Sequence, residues 1–244
     1  MSLWLVVLVL GVALALAVLP IAIRFGLAFY APRFAAWRAL RRMRRTVQWS
    51  TAQSAGDRTY FLEVPDPKIE DLPAALPMLT HVQDLQPAEW LRTSMTTFAR
   101  SVASILPGHF EAYARIEHPE ARSLSPALLD VLIEHLQGAT TTPASCWFAI
   151  WEGSGASAVP PDLEPKLELP ARRYHVFAGP IEGARSNFDR WDSHHQSANL
   201  WWPADHAWCV ASEIDLHWSY VGGSRSCIES LLADARLDAV ETTA

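Results

Sequence analysis

The chain has 244 residues, half of them hydrophobic and 19% charged, with a formal net charge of −6. Abundant Leu, Val and Ile beside 17 Pro and 11 Gly exclude a disordered or fibrous chain, and three scattered cysteines (Cys146, Cys209, Cys227) exclude a disulfide scaffold or a Cys-based zinc site. Residues 1–45 hold seven Arg and no acid, +7, whereas residues 46–244 set 13 bases against 26 acids, −13, and so acidic a body excludes nucleic acid as a main partner, because phosphate binding needs clustered positive charge.

Residues 3–23 contain no charged side chain. As a helix rising ~1.5 Å per residue they span about 31 Å, the thickness of a hydrocarbon core. A transmembrane anchor over residues 1–31 is predicted, with Pro20 near its far end. A cleaved signal peptide is the competing reading, but nothing basic precedes the apolar run. Seven arginines follow the span, from Arg24 and Arg33 onward, so the positive-inside rule sets the N-terminus outside and the rest of the chain in the cytoplasm. The expected location is the cell membrane, crossed once.

In residues 32–49, Phe34, Trp37, Leu40, Met43 and Val47 recur at helical spacing among the arginines. Such a segment would lie on the anionic inner leaflet with Arg38, Arg41, Arg42, Arg44 and Arg45 at the headgroups, each worth about 1 kcal/mol. A plain stop-transfer flank explains the same charges, and the two readings are compatible. Residues 50–87, interrupted by Pro65, Pro67, Pro73, Pro77 and Pro87, read as a Pro-rich linker with at most an edge strand at 60–64.

Residues 88–244 read as one globular domain. Pro87 opens a helix with Leu91, Met95, Phe98, Val102 and Ile105 on one stripe, ended by Pro107-Gly108. Residues 110–116 alternate as a strand. Ser125-Pro126 caps and starts a second helix that stops at Gly138. Cys146–Trp151 is apolar on both faces and belongs at the centre of a sheet. Residues 153–170 read as a mobile hairpin excursion, 173–178 as a strand, and 181–197 as polar loop. Residues 207–221 alternate without interruption. That pattern predicts one strand with Trp208, Val210, Ile214 and Trp218 on the core side and Glu213, Asp215 and His217 opposite. A last helix follows with Ser226 and Glu229 in capping-box spacing. The element order predicts an α+β fold with a mainly antiparallel sheet and flanking helices behind a single transmembrane helix.

The chain is rich in tryptophan. Trp201 and Trp202 are adjacent, so on a strand they point to opposite faces, one into the core and the other free to bind a ligand. A second cluster is polar: Asp192, His194, His195, Asp205, His206, Glu213, Asp215 and His217. Imidazole with carboxylate is the ligand set of catalytic zinc or iron, yet H-E-x-x-H, H-x-H and similar tight spacings are missing, so no metal and no cofactor are expected. No G-x-S-x-G elbow, P-loop or dinucleotide fingerprint occurs. Gly222-Gly223-Ser224 before a helix reads as an ordinary turn.

The run Ser197-Ala198-Asn199-Leu200-Trp201-Trp202-Pro203-Ala204-Asp205-His206-Ala207-Trp208-Cys209-Val210, continued by Glu213-Ile214-Asp215 and Tyr220-Val221-Gly222-Gly223, resembles the C-terminal block of a family of uncharacterised proteins of actinomycete-type bacteria. The resemblance implies a bacterial module seen with and without a membrane anchor. It implies no activity, cofactor or catalytic residue. The expected function is therefore a membrane-tethered cytoplasmic binding or interaction module, with the lipid bilayer and a protein as partners. Trp201, Trp202, Asp205, His206, Glu213, Asp215 and His217 are its candidate binding residues. The alternative is a metal-assisted, hydrolase-like enzyme built on the His, Asp and Glu residues of 205–217.

Overall fold

The computed structural model describes residues 66–95, 105–107, 109–118, 123–154, 157–170, 172–191 and 194–243, all within the unit Glu63–Ala244. The expected membrane span, the arginine segment carrying Arg38, Arg41, Arg42, Arg44 and Arg45, the edge strand at 60–64, and Asp192 lie outside the described residues. Among the described residues, no helix is long and apolar enough to cross a membrane.

Nine strands form one antiparallel sheet: β1 (Thr80–His81), β2 (Ala112–Glu117), β3 (Cys146–Trp151), β4 (Leu167–Leu169), β5 (Arg172–Gly179), β6 (Leu200–Pro203), β7 (Trp208–Ser212), β8 (Trp218–Gly223) and β9 (Asp238–Thr242). The order is β1-β5-β3-β6-β7-β8-β2-β9, with β4 paired to β5. As its composition demands, β3 is an inner strand, flanked by β5 and β6. Among the described residues, four α-helices accompany the sheet: α1 (Leu72–Ala75), α2 (Glu89–Ser94), α3 (Pro126–Gly138) and α4 (Arg225–Leu232). The α+β class with a large antiparallel sheet is thus observed.

Both faces of the sheet are covered. On one, Phe148, Ile150, Phe177, Trp201, Trp208, Val210 and Val221 meet Leu129, Leu132 and Leu136 of α3 and Ile228 and Leu231 of α4. On the other, Ala149, Val176, Leu200, Trp202, Cys209 and Ala211 meet Leu91 of α2, Met95, Ile105 and Leu106. Ser125 caps α3 as expected, its Oγ accepting from the Leu128 N–H at 3.4 Å.

Several expectations need correction. The linker boundary lies earlier than residue 88: Leu72, Leu76 and Leu79 are buried in the first core, and β1 pairs with β5. Five prolines conceal this because each element between them is only a few residues long. The helix after Pro87 ends at Ser94, where Thr93 and Ser94 both donate to the Trp90 carbonyl, at 3.0 and 2.7 Å, and compete with helix propagation. Phe98 and Val102 lie outside the described residues. The last helix is capped by Ser224, not Ser226, because β8 runs through Gly223 and the helix starts at once. β9 was not expected at all.

The largest correction concerns residues 207–221, which form a hairpin. β7 ends at Ser212, residues 213–217 turn, and β8 returns with Ser212 opposite Ser219 and Val210 opposite Val221. This register pairs even positions of β7 with odd positions of β8, so Trp218 lands on the face opposite Trp208. Ile214 sits half-buried in the turn. The turn contains no Gly, Pro or Asn, and an unbroken alternation hid the reversal.

Residues 157–170 also pack rather than loop out: Val159, Leu163, Leu167 and Leu169 are buried. On β5, His175 stands opposite Ile150, 2% exposed and within the electrostatic reach of Lys166. Lys166 is held there by Pro161 O at 2.7 Å, Glu164 at 3.2 Å and Glu152 at 3.3 Å. Burial first, then the Lys166 ammonium and His81, push the His175 imidazole down to about 4, against Glu152 and Glu164. The folded state keeps this ring neutral while the unfolded chain protonates it below about pH 6.5. The stability it contributes is therefore complete above that pH and lost as pH falls toward 4, up to about 3 kcal/mol. Urea midpoints measured from pH 7 to 4.5 should fall more steeply for the native chain than for His175→Leu. Parallel slopes would remove His175 from the acid response.

Candidate functional site

The candidate residues divide between the two ends of β7. At its start, the turn from β6 is clamped by Asp205, which accepts from Thr140 Oγ1 at 2.8 Å, Thr141 N at 2.7 Å, Thr141 Oγ1 at 2.8 Å and Ala207 N at 3.1 Å. Burial alone would raise its carboxyl. The four donors outweigh it and hold the group below the ordinary carboxylate range. An Asp so committed is a turn fastener rather than a base. The clamp sets His206 at φ 53°, the left-handed region, which throws its ring onto Trp90 of α2.

Around that contact lies an aromatic cluster. Trp90 and His206 stack with ring centroids 4.5 Å apart and planes 23° apart. His109 meets Trp90 edge-on at 5.3 Å and Phe110 at 4.5 Å. Beneath Trp90 is Trp202, at 6.1 Å, itself stacked on Trp147 at 6.4 Å. The β3–β6 register dictates this last pair, since Trp147 and Trp202 are direct cross-strand neighbours. Phe110 reaches the sheet only because Gly222 has no side chain: a Cβ there would stand 2.4 Å from Phe110 Cδ2. Burial lowers both imidazoles, that of His206 further through His109 and against Asp205, which disfavours a positive charge within the cluster. The buried indole N–H groups of Trp90 and Trp202 have no acceptor among the described residues.

At the far end of β7, about 17 Å away for five residues at ~3.4 Å each, Glu213 forms a 2.7 Å ion pair with Arg172, both side chains nearly buried at 13% and 12% exposure. The Arg172 guanidinium also lies 4.9 Å over the Trp151 ring. Arg172 and Glu213, with Tyr174, Asn199 and Ser212, border a cavity of about 20 Å³, room for a single water. Nearby, a buried chain runs from His118 Nε2 to Ser219 Oγ at 3.1 Å and on to Ser212 Oγ at 2.7 Å. Asp215 and His217 stand on the exposed hairpin turn.

The structure therefore separates Asp205 and His206 from Glu213, Asp215 and His217. Among the described residues, no three His, Cys, Asp or Glu side chains gather as metal ligands. Trp201 and Trp202 are both buried, at 1% and 0% exposure, on opposite faces, so neither is the free ring that adjacency suggested. A strand covered on both sides has no outer face. Trp202 instead floors the aromatic cluster. Sequence reasoning missed Trp90, His109, Phe110 and Trp147, which come from three separate segments and share no motif. The chain matches no family model, no curated protein and no solved structure.

Proposed function

We propose that this chain is a membrane-tethered interaction module whose docking surface is the aromatic end of the sheet and whose partner is a protein bearing basic side chains. The observation that carries the reading is the cluster itself: Trp90, His109, Phe110, Trp147 and His206 at least partly exposed around buried Trp202. Rigid aromatic rings are the usual anchors of protein interfaces. Carboxylates flank them, since Glu89 precedes Trp90, Glu111 follows Phe110 and Asp205 precedes His206. An arriving Lys or Arg would meet both charge and ring faces. The excess of acids over residues 46–244 points the same way.

The tether rests on the uncharged run of residues 3–23 and the arginines behind it. The metal-assisted alternative would need Asp205 and His206 to meet the 213–217 turn, and a whole strand stands between them. A photo-crosslinking benzoylphenylalanine placed at Trp147 of the full chain should yield a discrete protein adduct in the membrane fraction. The same probe at Glu168, exposed on β4, should not. Equal adducts at both positions, or none, would remove the docking surface. Recovery of the chain in the soluble fraction would remove the tether.

A further inference from the structure

The seam where α3 meets α4 holds a second set of groups, remote in sequence from the aromatic end. His135, in the last turn of α3, has its Nε2 2.7 Å from Asp234 Oδ2 and its Nδ1 3.2 Å from Ser230 Oγ of α4. An ionised carboxylate only accepts, so Asp234 fixes the imidazole proton on Nε2 and leaves the Nδ1 lone pair facing the serine hydroxyl. Asp234 is itself held. Arg236 reaches it through Nε at 3.0 Å and Nη2 at 2.7 Å, and Arg236 is braced by Glu134 at 2.7 Å. Arg236 first, then His135, hold the Asp234 carboxyl well below the usual carboxylate range. The Asp234 side chain is 11% exposed, whereas Ser230 is open to solvent.

We propose that Ser230, His135 and Asp234 form a nucleophilic centre that transfers acyl groups from activated esters to water. The roles are those of a serine nucleophile, its base and the group that orients the base, with the two imidazole nitrogens exchanged relative to the familiar arrangement. In the first step the Ser230 O–H proton passes to His135 Nδ1, the Oγ–acyl bond forms, the ester C–O bond breaks, and the proton goes on to the leaving oxygen. In the second, a water gives a proton to Nδ1, its oxygen bonds the acyl carbon, and the carboxylic acid departs as Ser230 recovers its proton. Two features set the substrate class. The single Ser230 O–H donates to Cys227 O at 2.8 Å and must turn from it to His135 Nδ1 before attack. The C-terminal end of α4 presents carbonyls, not N–H groups, to a developing oxyanion. Lacking a preorganised donor forgoes about 10²–10³-fold in rate, which restricts the centre to esters with good leaving groups and excludes amides.

Ser226 is an internal reference: it is exposed on the same helix, and its hydroxyl lies 3.2 Å from Ser224 Oγ rather than against an imidazole. The full chain, treated with a fluorophosphonate probe and separately with p-nitrophenyl acetate, is digested and the modified serines are located by mass spectrometry. Ser230 should react about 10²-fold faster than Ser226, and the preference should vanish in His135→Gln and weaken in Asp234→Asn. Equal reaction of the two serines overturns the assignment, as does a Ser230 preference that survives His135→Gln. The comparison of the two serines is made within one unaltered chain, so it stands whether or not the variants fold.

Discussion

Replacing Trp208 with Ala should cost about 3–5 kcal/mol of unfolding free energy, the largest loss expected from any single truncation. The ring is fully buried between the sheet and α3. It meets Trp201 edge-on at 5.1 Å, and its indole N–H donates to Leu136 O at 2.9 Å. That carbonyl belongs to the last turn of α3, where it also accepts from the Ala139 N–H at 3.2 Å, so the indole shares in closing the helix end. Truncation therefore opens a void and weakens the helix end at once. Trp208→Phe keeps most of the packing and should lose about 1–2 kcal/mol. Trp191→Ala, at a ring 44% exposed, should stay within about 1 kcal/mol of the native chain. Urea titration of residues 63–244 orders the three, and a Trp208→Ala loss below about 2 kcal/mol would show that the site collapses around the gap.

The second large effect is expected at Glu213. Its pair with Arg172 has left most of the solvent, and burial works against the Arg172 charge until the Glu213 hydrogen bond outweighs it. Glu213→Gln should cost about 3 kcal/mol, mainly because a buried guanidinium then faces no carboxylate. Changing both partners, Arg172→Met with Glu213→Leu, should recover most of that loss, since an apolar pair of similar volume needs no charge compensation. By contrast Lys68→Ala, which breaks an ion pair with 69% and 74% exposed partners, should move stability by less than about 1 kcal/mol. A double-mutant cycle on Arg172 and Glu213 measures the coupling directly, and additive losses would refute it.

What could be read from the chain followed the range over which each signal acts. The limits of α3 were legible because Ser125, Pro126 and Gly138 act within one turn. β3 was legible because an inner strand of a doubly covered sheet has apolar residues at every position. The hairpin reversal at 213–217 was not, since alternation reports the pleat and is blind to a change of direction when no Gly, Pro or Asn marks it. β9 escaped because an exposed edge strand such as Asp238–Thr242 has no buried face to write a pattern. Of the candidate site, Trp202 and His206 were named for their residue types. Their real neighbours, Trp90, His109 and Trp147, come from α2, the approach to β2, and β3. Only the sheet order brings those segments together.

That order also decides how neighbouring molecules behave. A row of unpaired backbone groups at a sheet margin invites another chain to add itself, and repetition of that event is how fibres grow. Here one margin is made by β1, two residues long, and β4, three residues long, each offering too little backbone to template another strand. The other is β9, which carries Asp238 and Glu241, the latter tied to Arg225. Two copies brought margin to margin through β9 would crowd four carboxylates into a strip five residues long. At high local concentration the molecules therefore meet like charge along the longer margin of the described sheet, where an added strand would otherwise find the most backbone.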